Sequence, residues 1–193
     1  DRTIADWKAR DGRDWVDQML LGGMLTAAEL GYRMIFELVD THSDHVEREL
    51  GAAIAALQPD GVIVTPPHSE NAQITGLLAE SGIPFARIGS KEAGPGIAMT
   101  MGDELLAGKA TDHLIELGHT RIGFISGPAE YSLTSWRVDG WREAMANAEF
   151  DCDGLLERGD FGFESGLAAA RALLDGDIRP TAIIASSDQM ALA

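Results

Sequence analysis

Four side chains in the second half of the chain have the chemistry to hold a small polar molecule. They are Arg137, Phe161, Ser187 and Asp188, and each lies in or just after a loop that ends a predicted strand. In open α/β sheets, ligands bind at the carboxyl ends of the strands. An aromatic ring can cover an apolar face of a ligand while a guanidinium, a carboxylate and a hydroxyl bond its edges. The pattern therefore predicts a binding site for a small polar ligand.

The first half of the chain offers two further candidates in equivalent positions. Thr65 ends one predicted strand and Gly89 ends the next. Since ligands in such folds contact the loops after the strands, we include both residues in the predicted ligand site.

The four candidates in the second half also have purely structural explanations. Arg137 could pair with a surface carboxylate, and Phe161 could be a core aromatic. Ser187 and Asp188 are both good helix N-caps, and capping is the more common role for Asp188. These alternatives stay open at the level of sequence.

The chain has no recognisable set of catalytic residues. Residues 89–96 are rich in glycine but lack the GK[ST] ending of a phosphate loop. Neither a G-x-G-x-x-G that opens a helix nor a G-x-S-x-G elbow occurs. His42 and His45 could touch a metal beside Asp44, but no cluster of further ligands accompanies them. We therefore expect no enzymatic activity, no metal and no cofactor.

Helices and strands are predicted to alternate along the chain. Gly118 suits the position after a helix end, where a left-handed conformation costs glycine little, and His119 is expected to hydrogen-bond this turn. Residues 122–126 are a short apolar run, typical of a parallel strand covered on both faces. The predicted strands are 32–39, 62–65, 84–89, 97–101, 122–126, 155–156 and 181–186. The predicted helices are 16–30, 44–57, 69–81, 103–117 (with Leu106, Ala110, Leu114 and Leu117 inward), 135–148 (with Val138, Trp141 and Met145 on one stripe) and 165–174.

The short connections between these elements favour an α/β fold with parallel sheets flanked by helices. The breaker cluster at 90–96 is the candidate boundary between two lobes, 1–92 and 93–193, with a cleft between them. Both ends are expected to be truncated. No clear strand precedes the first helix, and the chain stops at Ala193, barely one turn after the N-cap signal at 187–188.

Charge excludes some partners. The 15 basic and 31 acidic side chains give a net charge of −16, which repels phosphate backbones and anionic membrane surfaces. No apolar run approaches the roughly 18 residues of a membrane-spanning helix. Cys152 is the only cysteine, so no internal disulfide is possible, which mildly favours a reducing compartment.

A series of motifs in a fixed order covers most of the chain. The motifs are AELGY at 28–32, DGVIV at 60–64, IP at 83–84, GHTRIGFISGP at 118–128, R-x-x-G at 137–140 and DQMAL at 188–192. In this order and spacing, the chain from about Trp15 to Ala193 resembles the ligand-binding module of the lac-repressor/galactose-repressor (LacI/GalR) family of transcription regulators.

This resemblance implies a two-lobed, type I periplasmic-binding-protein-like fold that forms a homodimer and holds a small, sugar-like effector in its cleft. In that family the effector shifts the lobes and changes the operator affinity of an N-terminal helix-turn-helix headpiece. No such headpiece occurs in this sequence, so the chain is expected to bind an effector but not operator DNA. A cytoplasmic location without membrane attachment follows for such a regulator.

The resemblance also assigns residues. The effector-contacting arginine of the family falls on Arg137, the cleft aromatic on Phe161, and an asparagine on Ser187. The serine keeps a donor and an acceptor but lacks the two-sided reach of the amide. A family aspartate is replaced by Gly89, with Arg87 two residues earlier. These departures leave the sugar specificity open and allow for an anionic or modified ligand.

Two other functions remain as alternatives. A periplasmic sugar-binding protein of a transporter has the same fold, although GHTRIGFISGP favours the regulators. An enzyme on an α/β scaffold would need catalytic residues that the sequence does not supply. If the cleft is intact, Arg137→Ala should abolish effector binding and change stability by no more than about 1 kcal/mol, as surface-like substitutions usually do.

Overall fold

Helices and strands alternate through most of the chain. The computed structural model describes residues 14–40 and 43–193. This described part contains a single 3₁₀ turn, His68–Glu70. In chain order, the elements are α1 (Asp14–Glu29), α2 (Val46–Leu57), β1 (Val62–Val64), α3 (Ala72–Glu80), β2 (Phe85–Ile88), β3 (Ile97–Met99), α4 (Asp103–Glu116), β4 (Ile122–Ser126), α5 (Ser132–Asn147), β5 (Leu156–Arg158), α6 (Phe163–Asp175), β6 (Ala182–Ala185) and α7 (Asp188–Ala191).

The strands form two three-stranded sheets, ordered β1-β2-β3 and β5-β4-β6. Strand β2 pairs in parallel with β3, with Ala86 opposite Ile97. Strand β4 pairs in parallel with β5 on one side and β6 on the other. Every residue of β4 is buried, as expected of a central parallel strand covered on both faces. The predicted α/β fold with parallel sheets is confirmed.

The described chain divides into two compact units. The first contains the residues up to Ile63 together with Asn71–Phe85, and the second contains Val64–Glu70 and Ala86–Ala193. This division differs from a single cut at residue 92 because the segment before that cut packs on residues of the second unit. The backbone N–H of Gly89, for example, donates to the carbonyl oxygen of Met99 at 2.8 Å. The lobe boundary at residue 92 stays a prediction.

One of two hydrophobic core clusters in the second unit lies between β4 and one face of α5. Val138, Trp141 and Met145 are all buried there, so the predicted stripe is confirmed. The indole N–H of Trp141 donates to the carbonyl oxygen of Ile122 at 3.1 Å, and its ring centroid lies 5.5 Å from that of Phe124. The tryptophan therefore fixes α5 against the central strand by both packing and a hydrogen bond.

Close packing of α4 on α5 reverses part of the predicted inward face of α4. A Cβ at Gly140 would lie 2.0 Å from the carbonyl oxygen of Glu104, so the two backbones nearly touch. Small residues must face such a contact. Besides Asp103 at its start, the buried positions of α4 are Ala107 and Thr111. Leu114 packs against the core as predicted. The prediction is wrong for Leu106, Ala110 and Leu117, which are exposed (56% and 64% for the two leucines).

One further local prediction is wrong, and another is confirmed for the backbone. Residues 32–39 form no strand. A strand needs a neighbour to complete its backbone hydrogen bonds, and no described strand runs beside them. His119 follows the predicted turn at Gly118, which has a φ of 92°. Its backbone N–H donates to the carbonyl oxygen of Leu114 at 3.0 Å and so bonds the turn as predicted, whereas its ring Nδ1 lies 3.0 Å from the Thr181 hydroxyl.

Candidate ligand-binding site

Arg137 lies in the second turn of α5 and is clamped by two acceptors. Helix α5 begins at Ser132, three residues before its predicted start, which moves Arg137 out of the first turn. Its Nε and Nη2 donate to one carboxylate oxygen of Asp103 at 2.8 and 2.7 Å. Its Nη1 donates to the carbonyl oxygen of Ser186 at 2.7 Å. The arginine thus joins the start of α4 to the loop after β6.

The carboxylate that pairs with Arg137 is deeply buried. The side chain of Asp103 is 3% exposed, whereas that of Arg137 is 22% exposed. The structural alternative for Arg137 was an ion pair with a surface carboxylate. The ion pair forms, but its carboxylate is buried. Sequence reasoning missed Asp103 as a site residue, although an acid in the first turn of a helix after a strand was a visible signal. Whether Arg137 also contacts a ligand stays a prediction.

Phe161 has a strained backbone and a ring held from two sides. It lies in the loop after β5 with a φ of 72°, a left-handed conformation that costs a non-glycine residue about 1 kcal/mol or more. A Cβ at Gly127 would lie 2.1 Å from two carbons of the ring, so only glycine leaves room for it. The ring also meets Tyr131 edge-on, with centroids 5.6 Å apart. Phe161 is half-buried, and both of its predicted roles remain compatible with this packing.

A short turn around Asp160 supports this conformation. The backbone N–H of Gly162 donates to Oδ1 of Asp160 at 2.8 Å. The hydroxyl of Ser165 accepts the backbone N–H of Asp160 at 3.0 Å and also bonds its carboxylate. Local side-chain bonds of this kind stabilise backbone conformations outside helices and strands. The loop that presents Phe161 is therefore built by residues next to it in sequence.

Ser187 joins α7 to the Phe161 loop. Its hydroxyl accepts the backbone N–H of Met190 at 3.2 Å, the bond of an N-cap. The same hydroxyl donates to the carbonyl oxygen of Phe161 at 3.0 Å. A serine has one proton to donate, so in this arrangement Ser187 can offer a ligand only a lone pair. Asp188 is the exposed first residue of α7 and not its cap, so the capping role suggested for it is wrong.

Gly89 and Thr65 lie at the carboxyl ends of β2 and β1. Gly89 is buried with a φ of 68°, and a Cβ there would lie 2.5 Å from Cγ of Pro66. A side chain at this position would collide with the proline ring, which accounts for the glycine. The carbonyl oxygen of Thr65 accepts the backbone N–H of Ser69 at 3.0 Å. Both residues therefore have structural roles, and their contact with a ligand is untested.

Packing connects the predicted residues into one continuous region of the second unit. A Cβ at Gly89 would contact Pro66 on one side. It would also lie 3.9 Å from a methyl group of Leu133, at the start of α5. A Cβ at Gly127 would lie 2.9 Å from the hydroxyl of Thr134, the residue that follows Leu133. Phe161 covers Gly127, and Ser187 bonds Phe161. The region thus extends from the end of β1 to the start of α7.

Buried hydroxyls in this region lack hydrogen-bond partners among the residues that the structure describes. Thr134 and Ser186 each carry such an oxygen, as does Ser69 in the turn after Thr65. Unsatisfied buried polar groups are rare and call for an explanation. A polar ligand or bound water would satisfy them. The sequence carried little signal for these residues, because serine and threonine are common in loops.

Metal-ligating groups and the single cysteine are the other candidates for chemistry in the described residues. Within residues 14–40 and 43–193, no three His, Cys, Asp or Glu side chains are grouped to hold a metal. His42, one of the pair considered above, lies outside the described residues. Burial raises the pKa of the Cys152 thiol, with smaller opposing and reinforcing effects from Arg142, Asp151 and Asp153. A protonated thiol is a poor nucleophile and metal ligand.

The described part of the chain also contains no helix that is both long and apolar enough to cross a membrane.

Comparison with known proteins gives consistent matches. A family model described as periplasmic binding proteins and sugar binding domain of LacI family matches residues 10–193. The HTH-type transcriptional regulator CelR of Thermobifida fusca is 33% identical over 180 residues, which is 91% of this chain and 52% of that protein. Catabolite control protein A of Priestia megaterium is 31% identical over 169 residues, which is 83% of this chain and 49% of that protein.

A solved structure supports the same relationship. The complex of the transcriptional regulator CelR with cellobiose superposes with a TM-score of 0.80 at 30% identity, covering 93% of this chain and 55% of that one. The chain therefore spans about half the length of the curated relatives it matches.

Proposed function

Because the chain belongs to the family of periplasmic binding proteins and LacI-type sugar-binding domains, we propose that it is the effector-binding module of a LacI-type transcription regulator. Its α/β architecture is the type I periplasmic-binding-protein-like fold expected from the sequence. The effector is a small, sugar-like molecule. No catalytic step is part of this proposal, since the relatives reported above are regulators and not enzymes.

One observation carries the proposal: polar and aromatic groups meet after three neighbouring parallel strands. Arg137 lies on the helix after β4, Phe161 follows β5 and Ser187 follows β6. Hydrogen bonds connect this helix to the loop after β6, and that loop to the loop after β5. The carboxyl ends of parallel strands are the usual ligand positions in α/β folds. The solved structure of CelR with cellobiose supports a saccharide ligand for a member of this family.

The contacts suggest a division of roles. Arg137 has N–H groups beyond those bound by Asp103 and Ser186, and we assign these to ligand oxygens. Phe161 covers an apolar face of the sugar ring. Ser187 accepts a bond from a sugar hydroxyl, because its own proton is held by Phe161. Asp188 also accepts from the ligand. Thr65 and Gly89 line the opposite side, where the glycine leaves space that the family aspartate would occupy.

Regulation then follows from a difference in affinity. An effector that binds one arrangement of the lobes more tightly shifts the population towards that arrangement. In the whole protein, we propose that this shift changes the affinity of a helix-turn-helix headpiece for operator DNA. The effector module itself carries a net charge of −16 and would not bind the operator. The protein acts as a homodimer in the cytoplasm.

A thermal-shift screen tests the ligand-binding part of this proposal. The panel contains mono- and disaccharides, sugar acids and nucleobases. A ligand at a hundredfold its dissociation constant adds about 2.7 kcal/mol to the free energy of unfolding, which is a measurable shift. We expect at least one saccharide or sugar acid to give such a shift. A cooperatively melting chain that responds to none of these compounds would contradict the proposal.

Two variants localise the binding. Phe161→Ala should abolish the shift, since it removes the ring that covers the ligand. Arg142→Ala changes an exposed arginine on the same helix as Arg137 and should leave the shift intact. In the full-length protein, the same compound should also change operator affinity in a gel-shift titration. A bound saccharide with no effect on operator binding would instead favour the transporter-associated alternative.

A further inference from the structure

Arg87 is the most deeply buried basic side chain near the predicted site. It lies on β2, two residues before Gly89, and is 4% exposed. Arginine is almost never fully buried without a partner that balances its charge. Its guanidinium extends towards the carboxyl end of the strand, where it contacts Ser90 and Glu92. A buried charge at this edge of the sheet requires an explanation.

The acceptors that contact Arg87 are all neutral. Nη1 donates to the hydroxyl of Ser90 at 2.9 Å, and Nη2 donates to the backbone carbonyl of Glu92 at 2.8 Å. Nε is buried and has no acceptor in the described part of the chain. No described carboxylate forms an ion pair with this guanidinium. The positive charge therefore has partial hydrogen bonding but no counter-charge among these residues.

The neighbouring basic residues differ in this respect. Lys91, in the same loop, lies 2.5 Å from the carboxylate of Glu104 and 4.6 Å from the ring centroid of Trp136. Arg137, the residue after Trp136, is paired with Asp103. Each of these cations has its own carboxylate, so neither Glu104 nor Asp103 neutralises Arg87.

A thin layer of chain covers the guanidinium. A Cβ at Gly94 would lie 3.4 to 3.7 Å from Nη2, Cζ and Nη1, so the guanidinium packs against a residue without a side chain. Residues 91–96 are all exposed to solvent. A small shift of this segment would therefore expose the face of the guanidinium formed by Nη1, Cζ and Nη2. The adjoining Nε has no acceptor among the described residues. Two adjacent N–H groups of a guanidinium match the two oxygens of a carboxylate or phosphate.

We propose that Arg87 binds an acidic group of the effector, so that the ligand is a sugar carrying a carboxylate or a phosphate. This inference rests on the proposed function and specifies the chemical class of its ligand. The acid supplies the counter-charge that the described residues lack and accepts the N–H of Nε. A buried unpaired charge is costly, whereas a paired and hydrogen-bonded one is tolerated. The ligand thus completes an arrangement that the fold leaves open.

Matched ligand pairs provide the test. Galacturonate is compared with galactose, and glucose 6-phosphate with glucose, by calorimetric titration of the wild-type chain. We expect at least one acid to bind about tenfold or more tightly than its neutral counterpart, as a charge-assisted hydrogen-bonded pair implies. The two pairs distinguish a carboxylate from a phosphate.

Three variants assign this preference to Arg87. Arg87→Met should abolish the preference for the acid, and Arg87→Lys should retain part of it, because lysine keeps the charge but loses the planar fork. Arg142→Met removes the same charge from an exposed position and should keep the full preference. The comparison of Arg87→Lys with the wild type still tests the assignment if Arg87→Met does not fold.

The unfavourable outcomes are distinguishable. A preference for the acid that persists in Arg87→Met overturns the assignment to Arg87. A neutral sugar that binds the wild type as tightly as its acid overturns this inference but leaves the proposed function intact. A cooperatively folded chain that binds neither acids nor neutral sugars contradicts the proposed function as well.

Discussion

Arg137 and Arg87 are two largely buried arginines that the fold treats in opposite ways. Arg137 donates to a buried carboxylate and to a backbone carbonyl, so its charge is balanced within the protein. Arg87 is more deeply buried, but its acceptors are a hydroxyl and a carbonyl, and its Nε has no acceptor among the described residues. One arginine completes a structural junction, and the other keeps an unbalanced charge.

This difference shows that burial alone does not define the role of a charged side chain. Removing one partner of a buried ion pair leaves the other charge uncompensated, which is strongly destabilising. Removing a buried charge that has no counter-charge takes away an unfavourable desolvation together with some hydrogen bonds. Substitution of Arg137 should therefore lower the free energy of unfolding of the unliganded protein. Substitution of Arg87 should mainly weaken ligand binding.

The largest effect is expected from Arg137→Ala. The variant leaves Asp103, which is 3% exposed, without its cation, and we expect a loss of about 3 to 5 kcal/mol in the free energy of unfolding. Urea unfolding measures the loss. This replaces the sequence-based expectation of about 1 kcal/mol at most, which assumed a surface-like position. The control Arg142→Ala should stay within about 0.5 kcal/mol. A loss for Arg137→Ala as small as that of the control would remove the contrast with Arg87.

A smaller loss is expected from Gly140→Ala. The added Cβ would lie 2.0 Å from the carbonyl oxygen of Glu104, so α4 must move away from α5. Because Asp103 is on α4, this movement would separate it from Arg137. We expect a loss of about 1 to 3 kcal/mol by urea unfolding. Gly108→Ala is the matched control on the facing helix, since its Cβ would lie an ordinary 3.5 Å from the carbonyl oxygen of Gly140. That variant should be neutral or slightly stabilising.

Ser187→Ala examines the loop that follows the carbonyl acceptor of Arg137. The change removes the N-cap bond to Met190 and the bond to the Phe161 carbonyl. We expect a loss of about 1 to 2 kcal/mol by thermal unfolding, together with weaker saccharide binding because Phe161 is no longer held. Ser135→Ala removes an exposed bond within α5 and should change neither quantity measurably. Equal losses in the two variants would show that Ser187 has no special supporting role.

The smallest effect on stability is expected from Arg87→Met. The variant removes two hydrogen bonds and an uncompensated charge, and we expect a net change within about 1 kcal/mol of either sign. Urea unfolding without ligand measures it beside Arg137→Ala. A loss as large as that of Arg137→Ala would indicate that Arg87 is balanced by a group outside the described residues, and the contrast between the two arginines would no longer hold.

Most local elements of this protein follow from short-range patterns in its sequence. The apolar run at 122–126 became the buried central strand, the left-handed turn formed at Gly118, and Ser187 capped the last helix. Periodicity, glycine conformation and capping depend on a few adjacent residues, so the local sequence predicts them. The motif order also identified the family, because it samples many such local features at once.

Contacts between side chains that are distant in the sequence depend on how the elements pack. Arg137 and Asp103 lie 34 residues apart, and their pairing depends on the close approach of α4 and α5 at Gly140. The same approach turned Leu106 and Leu117 outwards, although their spacing suits a buried face. Residues 32–39 have the composition of a strand but no described neighbour. The burial of Arg87 without a carboxylate is also a result of packing, because charge balance depends on residues distant in sequence and not on local pattern.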